Sequence, residues 1–194
     1  MSGPNPERRS ERARQAILEA ALELCGEQNY EKLTMEGVAK RAGVGKQTIY
    51  RWWPSKAAIL LEALQNRAGG ALEFPDTGDL QADLRSQMTQ VVALFNNPTF
   101  SAYNRGLIAA AQTDPAISRA IVETIIQPRV DECANRLAKA QKEGQLRPDV
   151  DPVDVVELLY APLYYRFLLH TRPVTPEQLE MIYDLAFTGL NPTS

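Results

Sequence analysis

The stretch whose reading decides the fold runs from Thr34 to Lys56, TMEGVAKRAGVGKQTIYRWWPSK. Val38, Ala39 and Ala42 at helical spacing, then Gly43, then Val44 and Ile49, predict two short helices joined by a glycine-containing turn. Thr34 stands where a side-chain oxygen caps the first of them. Ala39 leaves room for a close helix crossing, and Gly43 permits the turn. The second helix then shows Lys46, Gln47, Thr48, Tyr50 and Arg51 on its outer face. These side chains suit a major groove: lysine donates to guanine, glutamine pairs with the edge of adenine, and threonine and tyrosine hydroxyls reach phosphates. Taken alone, the same pattern also fits a helical hairpin with a solvated polar face.

Upstream, Ala13, Ala16, Ile17, Ala20, Ala21, Leu24 and Cys25 recur every three or four residues as one apolar stripe of an amphipathic helix. Asn29 follows where that helix should stop, in the left-handed conformation of a terminal cap. The start, MSGPNPERRSERAR, is polar and basic, so neither a secretory signal nor a membrane anchor is expected, and a cytoplasmic location follows. Arg8, Arg9, Arg12 and Arg14 read equally as a basic arm on DNA or as a solvated tail. The net charge of -3 argues against nucleic acid, but its distribution does not. Residues 1–67 hold eleven Lys and Arg against eight Asp and Glu, whereas the remainder holds ten against sixteen. The basic part is the candidate DNA face.

With the amphipathic helix, Asn-Tyr, Leu-Thr, the turn, Thr-x-Tyr, two aromatics and Pro-Ser-Lys in place, residues 10 to 64 resemble the TetR family of regulators. The resemblance implies an all-α chain of about nine helices: an N-terminal three-helix domain with a helix-turn-helix, residues 1–54, and a C-terminal helical bundle for ligand binding and dimerisation, residues 55–194. It also implies DNA contacts from Thr34, Lys46, Gln47, Thr48, Tyr50, Trp52 and Lys56, with Tyr50 and Lys56 chiefly at phosphates. Trp53 matches a buried aromatic. Glu36 departs from the pattern, standing where some members carry a basic residue, so it either faces away or lowers affinity. Trp52 replaces a usual His or Tyr and reads either as a phosphate donor or as a packed ring.

Downstream, Asn97-Pro98, Asp114-Pro115, Asp151-Pro152 and Thr175-Pro176 each set a capping side chain before a proline, which marks four helix starts. Asp79 opens another helix to about Asn96, and Gly144 closes the long one that begins at Pro115. Pro128 and Pro162 predict kinks. The last two helices, about 152–170 and 176–190, carry so much apolar surface that a subunit interface is expected at Leu159, Leu163, Phe167, Ile182, Tyr183 and Phe187. In the family the matching helix pair forms a four-helix dimer interface. Met88, Phe95, Phe100, Tyr103, Leu107 and Tyr164 mix apolar surface with hydroxyls and are the candidate lining of a small-molecule pocket.

Catalysis is not expected. One histidine, His170, two distant cysteines, Cys25 and Cys133, and no glycine-rich phosphate loop leave no nucleophile-base pair, metal site or cofactor cradle. The expected partners are double-stranded, palindromic operator DNA, a second copy of the chain and a small-molecule effector that releases a repressor; no cofactor and no membrane are implied. The alternative is a helical ligand- or protein-binding module that no longer engages DNA, from which the simultaneous presence of Lys46, Gln47, Thr48, Tyr50 and Lys56 distinguishes it.

Overall fold

Caps and prolines punctuate the chain as its sequence leads one to expect. The computed structural model describes residues 6–71 and 74–190, and among them there is no strand. The helices are α1 Pro6–Lys32, α2 Met35–Ala42, α3 Lys46–Trp52, α4 Lys56–Ala71, α5 Leu80–Asn96, α6 Pro98–Ala111, α7 Pro115–Ile121, α8 Gln127–Lys142, α9 Pro152–Leu169 and α10 Pro176–Leu190. Side chains of Asp79, Asp114 and Asp151 accept the first free N–H groups of α5, α7 and α9, and Thr175 does so for α10. All four prolines that follow a capping residue open their helices. No described helix is long and apolar enough to cross a membrane.

The long helix expected from Pro115 to Gly144 is interrupted. A π-helical turn, Val122–Ile126, separates α7 from α8, so among the described residues the helices number nine when this run counts as one. Pro128 has no N–H to offer the carbonyl of Thr124 four residues back, and Gln65 Nε2 takes that carbonyl at 3.3 Å. At Asn29 the backbone turns out of the helix with φ 71° and ψ 170°. The positive φ is the expected one, but ψ is extended rather than left-handed helical. Asn29 Oδ1 then accepts from the N–H of Lys32, which caps the last turn anew.

By contact the chain divides into two compact units, residues 1–68 with 98–125, and 69–97 with 126–194. In the first, Ile17, Ala20, Ala21, Leu24 and Cys25 are buried along α1, which packs on α2 and on α6. The α1–α6 approach is close: a Cβ placed on Gly106 lies 2.3 Å from Cβ of Tyr30, so only glycine fits there. Trp53 is buried, and its indole donates to Glu62, whose other oxygen accepts from Arg14 at 2.8 Å. Arg14 therefore belongs to the fold.

In the second unit α5, α8, α9 and α10 enclose a core that includes Leu84, Met88, Leu137, Leu159 and Leu163. Here the expected dimer residues are displaced. Leu159, Leu163, Phe167, Ile182, Tyr183 and Phe187 are all buried inside their own chain and make its core. The reason is that α9 is apolar on nearly every side, so its sequence does not say which face turns inward. The outward apolar residues are Val153, Leu158, Tyr165 and Leu169 on α9 and Met181 and Leu185 on α10, the last 72% exposed.

One buried ion pair links α5 to α8. Arg136 Nε donates to Asp83 Oδ2 at 2.9 Å, while the hydroxyl and N–H of Thr77 also donate to Asp83. Burial opposes the charge on Asp83, but these hydrogen bonds prevail and hold its pKa below the ordinary aspartate value. The sign follows: a lowered folded-state pKa stabilises at neutral pH, and the contribution is lost as pH falls through that pKa. Asp83→Asn is expected to cost about 3 kcal/mol at neutral pH, because the buried Arg136 is left with only the part-exposed Asp76, 3.3 Å away, as counter-charge. Urea unfolding in a series from neutral to strongly acidic pH checks this; a deficit that does not shrink in acid would contradict it.

Candidate nucleic-acid interface

Local chemistry aims the candidate surface on α3. Thr34 Oγ1 accepts from the N–H of Gly37 at 3.0 Å and so starts α2, which leaves the hydroxyl proton free to be donated outward. Gly43 ends α2 with φ 68°, a left-handed conformation that glycine adopts without steric cost. The N–H of Val44 reaches back to the carbonyl of Ala39 at 3.0 Å. Val38, Ala39 and Ile49 are buried at the crossing of α2 and α3. With Ile49 inward, Lys46, Gln47, Tyr50 and Arg51 are exposed and Thr48 is half-buried.

Tyr50 presents half of its surface to solvent, an aromatic body carrying a hydroxyl that donates or accepts. Trp52 is half-buried, edge-on to Trp53 with ring centroids 5.4 Å apart, and the Arg51 guanidinium lies 5.2 Å from its ring centre. The ring of Trp52 therefore packs in part, and part of it remains at the surface.

Several charges of the basic first third are spent internally. Arg41 pairs with Glu27 at 2.7 Å and Glu23 at 3.1 Å, hydrogen bonds that raise its pKa. Glu36 meets Lys46 at 3.3 Å, from the first turn of α2 to the first residue of α3. The Glu36 carboxyl is held below the usual range by its own backbone N–H and then by Lys46. Arg8 and Arg12 are exposed; the Arg9 side chain lies outside the described residues.

Lys56 is the largest departure from expectation. Its ammonium donates to the carbonyls of Tyr30, Glu31 and Leu33 at 2.7, 3.2 and 3.0 Å and lies 4.4 Å from the centre of the Tyr30 ring. Its three donors are therefore occupied by the C-terminal end of α1, which leaves none directed at a phosphate. Sequence offers no signal for this, because the partners lie more than twenty residues away. Lys56→Ala is expected to lower stability by about 1.5 to 3 kcal/mol, the range for charged hydrogen bonds. Thermal unfolding of the DNA-free protein measures it; an unchanged melting temperature would return Lys56 to a role confined to DNA.

The six candidate pocket residues fall three to each unit. Phe100, Tyr103 and Leu107 are buried on α6, with the two rings edge-on at 5.4 Å. Met88 and Phe95 are buried on α5; Phe95 stacks on Phe167 at 4.2 Å and meets Tyr164 edge-on at 4.9 Å. Polar groups outside these six pocket candidates lie in the same unit. Tyr160 donates to the buried Gln87, and the buried Tyr183 hydroxyl has no hydrogen-bond partner. Cys25 and Cys133 are both buried as expected, their thiols pushed up by burial to about 11 and about 12.

Comparison with known proteins agrees with this geometry. Residues 17–63 match the family model of bacterial regulatory proteins of the tetR family, and residues 74–186 match that of the tetracyclin repressor-like C-terminal domain. The chain is 32% identical over 186 residues to the uncharacterized HTH-type transcriptional regulator YdeS of Bacillus subtilis (strain 168), covering 96% of this chain and 93% of the relative. It is 30% identical over 162 residues to the DNA-binding transcriptional repressor TetR of Mycobacteroides abscessus, covering 83% and 85%. The crystal structure of the TetR family transcription regulator SCO0332 superposes with a TM-score of 0.78 at 34% identity, covering 93% of this chain and 99% of that one. The flavonoid-responsive regulator FrrA, 23% identical with a TM-score of 0.71 over 95% and 100% of the two chains, shares the fold.

Proposed function

From the premise that this chain belongs to the TetR family of bacterial transcriptional regulators, we propose how it meets DNA, its second copy and its effector. It is a DNA-binding transcriptional regulator and not an enzyme. The observation that carries the rest is the face of α3. Burial of Ile49 turns Lys46, Gln47, Tyr50 and Arg51 to solvent together, and Thr34 caps the neighbouring helix. In this reading Lys46 and Gln47 touch base edges, while Thr34, Thr48, Tyr50 and Trp52 hold phosphates. Lys56 acts by fixing the end of α1 against the start of α4. Residues 1–54 bind DNA, and residues 55–194 serve ligand binding and dimerisation.

Two copies pair through the outward stripe of Leu158, Tyr165, Leu169, Met181 and Leu185, apolar surface that water otherwise covers. Pairing sets two recognition helices about one turn of DNA apart, roughly 34 to 36 Å or a multiple, so the operator is palindromic. The effector is a small, largely apolar molecule with a polar end. In the second unit Met88, Phe95 and Tyr164 supply apolar and aromatic surface, and the half-buried Tyr160 with the buried Gln87 and Tyr183 supply polar atoms. Phe100, Tyr103 and Leu107 on α6 remain candidates of the first unit. Binding of the effector releases a repressor from its operator, and by linkage DNA weakens effector binding to the same degree. The protein acts in the cytoplasm, beside the DNA it binds.

Mobility-shift titrations test the DNA face. Tyr50→Phe is expected to weaken binding to all duplexes alike, whereas Gln47→Ala relaxes preference at one base position by about 1 to 3 kcal/mol. A uniform loss from Gln47→Ala would show that its assignment to bases is wrong. Sedimentation tests the dimer: Leu185→Glu is expected to yield folded monomers with unchanged helical circular dichroism. Phe187→Glu should instead unfold the second unit, since Phe187 is core. An unchanged dimer mass for Leu185→Glu would refute the placement of the interface.

A further inference from the structure

The Glu36–Lys46 pair is not explained by stability. Its oxygen and nitrogen lie 3.3 Å apart with both side chains more than half exposed, and surface ion pairs of this kind contribute little to folding. Nor does a carboxylate beside a phosphate backbone favour affinity, because it repels every duplex alike. Its position is the informative feature. Glu36 stands in the first turn of α2 and Lys46 begins α3, so the pair bridges the two helices at the edge of the surface that includes exposed Gln47.

We propose that Glu36 and Lys46 act as one unit that reads a G·C base pair, with the ammonium on guanine O6 and N7 and the carboxylate accepting from cytosine N4. This rests on the reading that α3 faces the major groove. In a G·C pair O6 and N4 are themselves hydrogen-bonded, about 2.9 Å apart. A donor and an acceptor held 3.3 Å apart match that edge closely. An A·T pair offers the carboxylate a donor at adenine N6, but thymine O4 then faces the same carboxylate and lysine finds one acceptor instead of two. Glu36 is thus a specificity residue that weakens binding to wrong sequences and is compensated only at the right one. Its carboxyl, held below the usual range by its own backbone N–H and by Lys46, is an anion at neutral pH and so an acceptor on both oxygens for the cytosine amine.

Selection from a pool of random-sequence duplexes by the full chain, followed by sequencing, decides the matter. The unsubstituted protein should enrich G·C over A·T about tenfold at one position of each half-site. Glu36→Ala should retain more of the unselected pool yet lose most of that preference, leaving the position read by Gln47 unchanged. Glu36→Gln should move the preference at that position toward A·T, since a glutamine amide pairs with adenine. Combining Glu36→Ala with Lys46→Ala should remove no more preference there than either alone. Thermal unfolding confirms that each variant is folded. Unchanged base preference in Glu36→Ala at every position would overturn the proposal and leave the DNA face standing. If the unsubstituted protein retains no duplex, the proposal falls together with the reading of α3 on which it rests.

Discussion

A helix of seven residues has room for one anchored side and one free side, and in α3 the anchored side is Ile49. That residue has no exposure, and Val38 and Ala39 on α2 are buried with it. Rotating α3 by a third of a turn would expose an isoleucine and bury a lysine or a glutamine without a partner, a cost that the small surrounding core cannot offset. The orientation of the whole recognition surface follows from this burial. So does the close fit of the elements behind it, where Trp53, Glu62 and Arg14 tie the end of α3 to α4 and α1.

Charge plays a different part from the one its sequence distribution suggests. The first third of the chain has a positive balance, yet Arg14 and Arg41 answer carboxylates, Lys46 faces Glu36 and Lys56 is consumed by three carbonyls. Counting lysines and arginines therefore overstates the cation available to phosphates. On the proposed reading of α3, affinity rests on a few well-placed side chains, and neutralised pairs limit attraction to DNA of arbitrary sequence, so that contacts to base edges would decide where the protein rests.

In the second unit the same rule, that buried groups must be satisfied, shapes a core with polar content. Asp83 is acceptable inside because Arg136 and Thr77 together supply its donors. Tyr183 is one counterexample, an interior hydroxyl without a hydrogen-bond partner. Polar atoms in an apolar interior favour ligands that complete them, which gives the effector reading its chemical content. On the outside, the apolar residues of α9 and α10 have no such use within one chain, and they carry the argument for a second copy.

What the sequence determined by itself was local. Helix starts at Pro98, Pro115, Pro152 and Pro176, the cap at Thr34, the turn at Gly43 and the outward set on α3 all depend on residues within about four positions of one another, and short-range hydrogen bonds and periodicity make them legible. Only the tertiary structure decided the rest. Which side of α9 turns inward, where the Lys56 ammonium goes, that Glu36 meets Lys46, and that a π turn rather than a simple kink precedes Pro128 all depend on neighbours brought together by the fold. An apolar side chain or an ammonium has many acceptable destinations, and it is packing, which sums over distant segments, that selects among them.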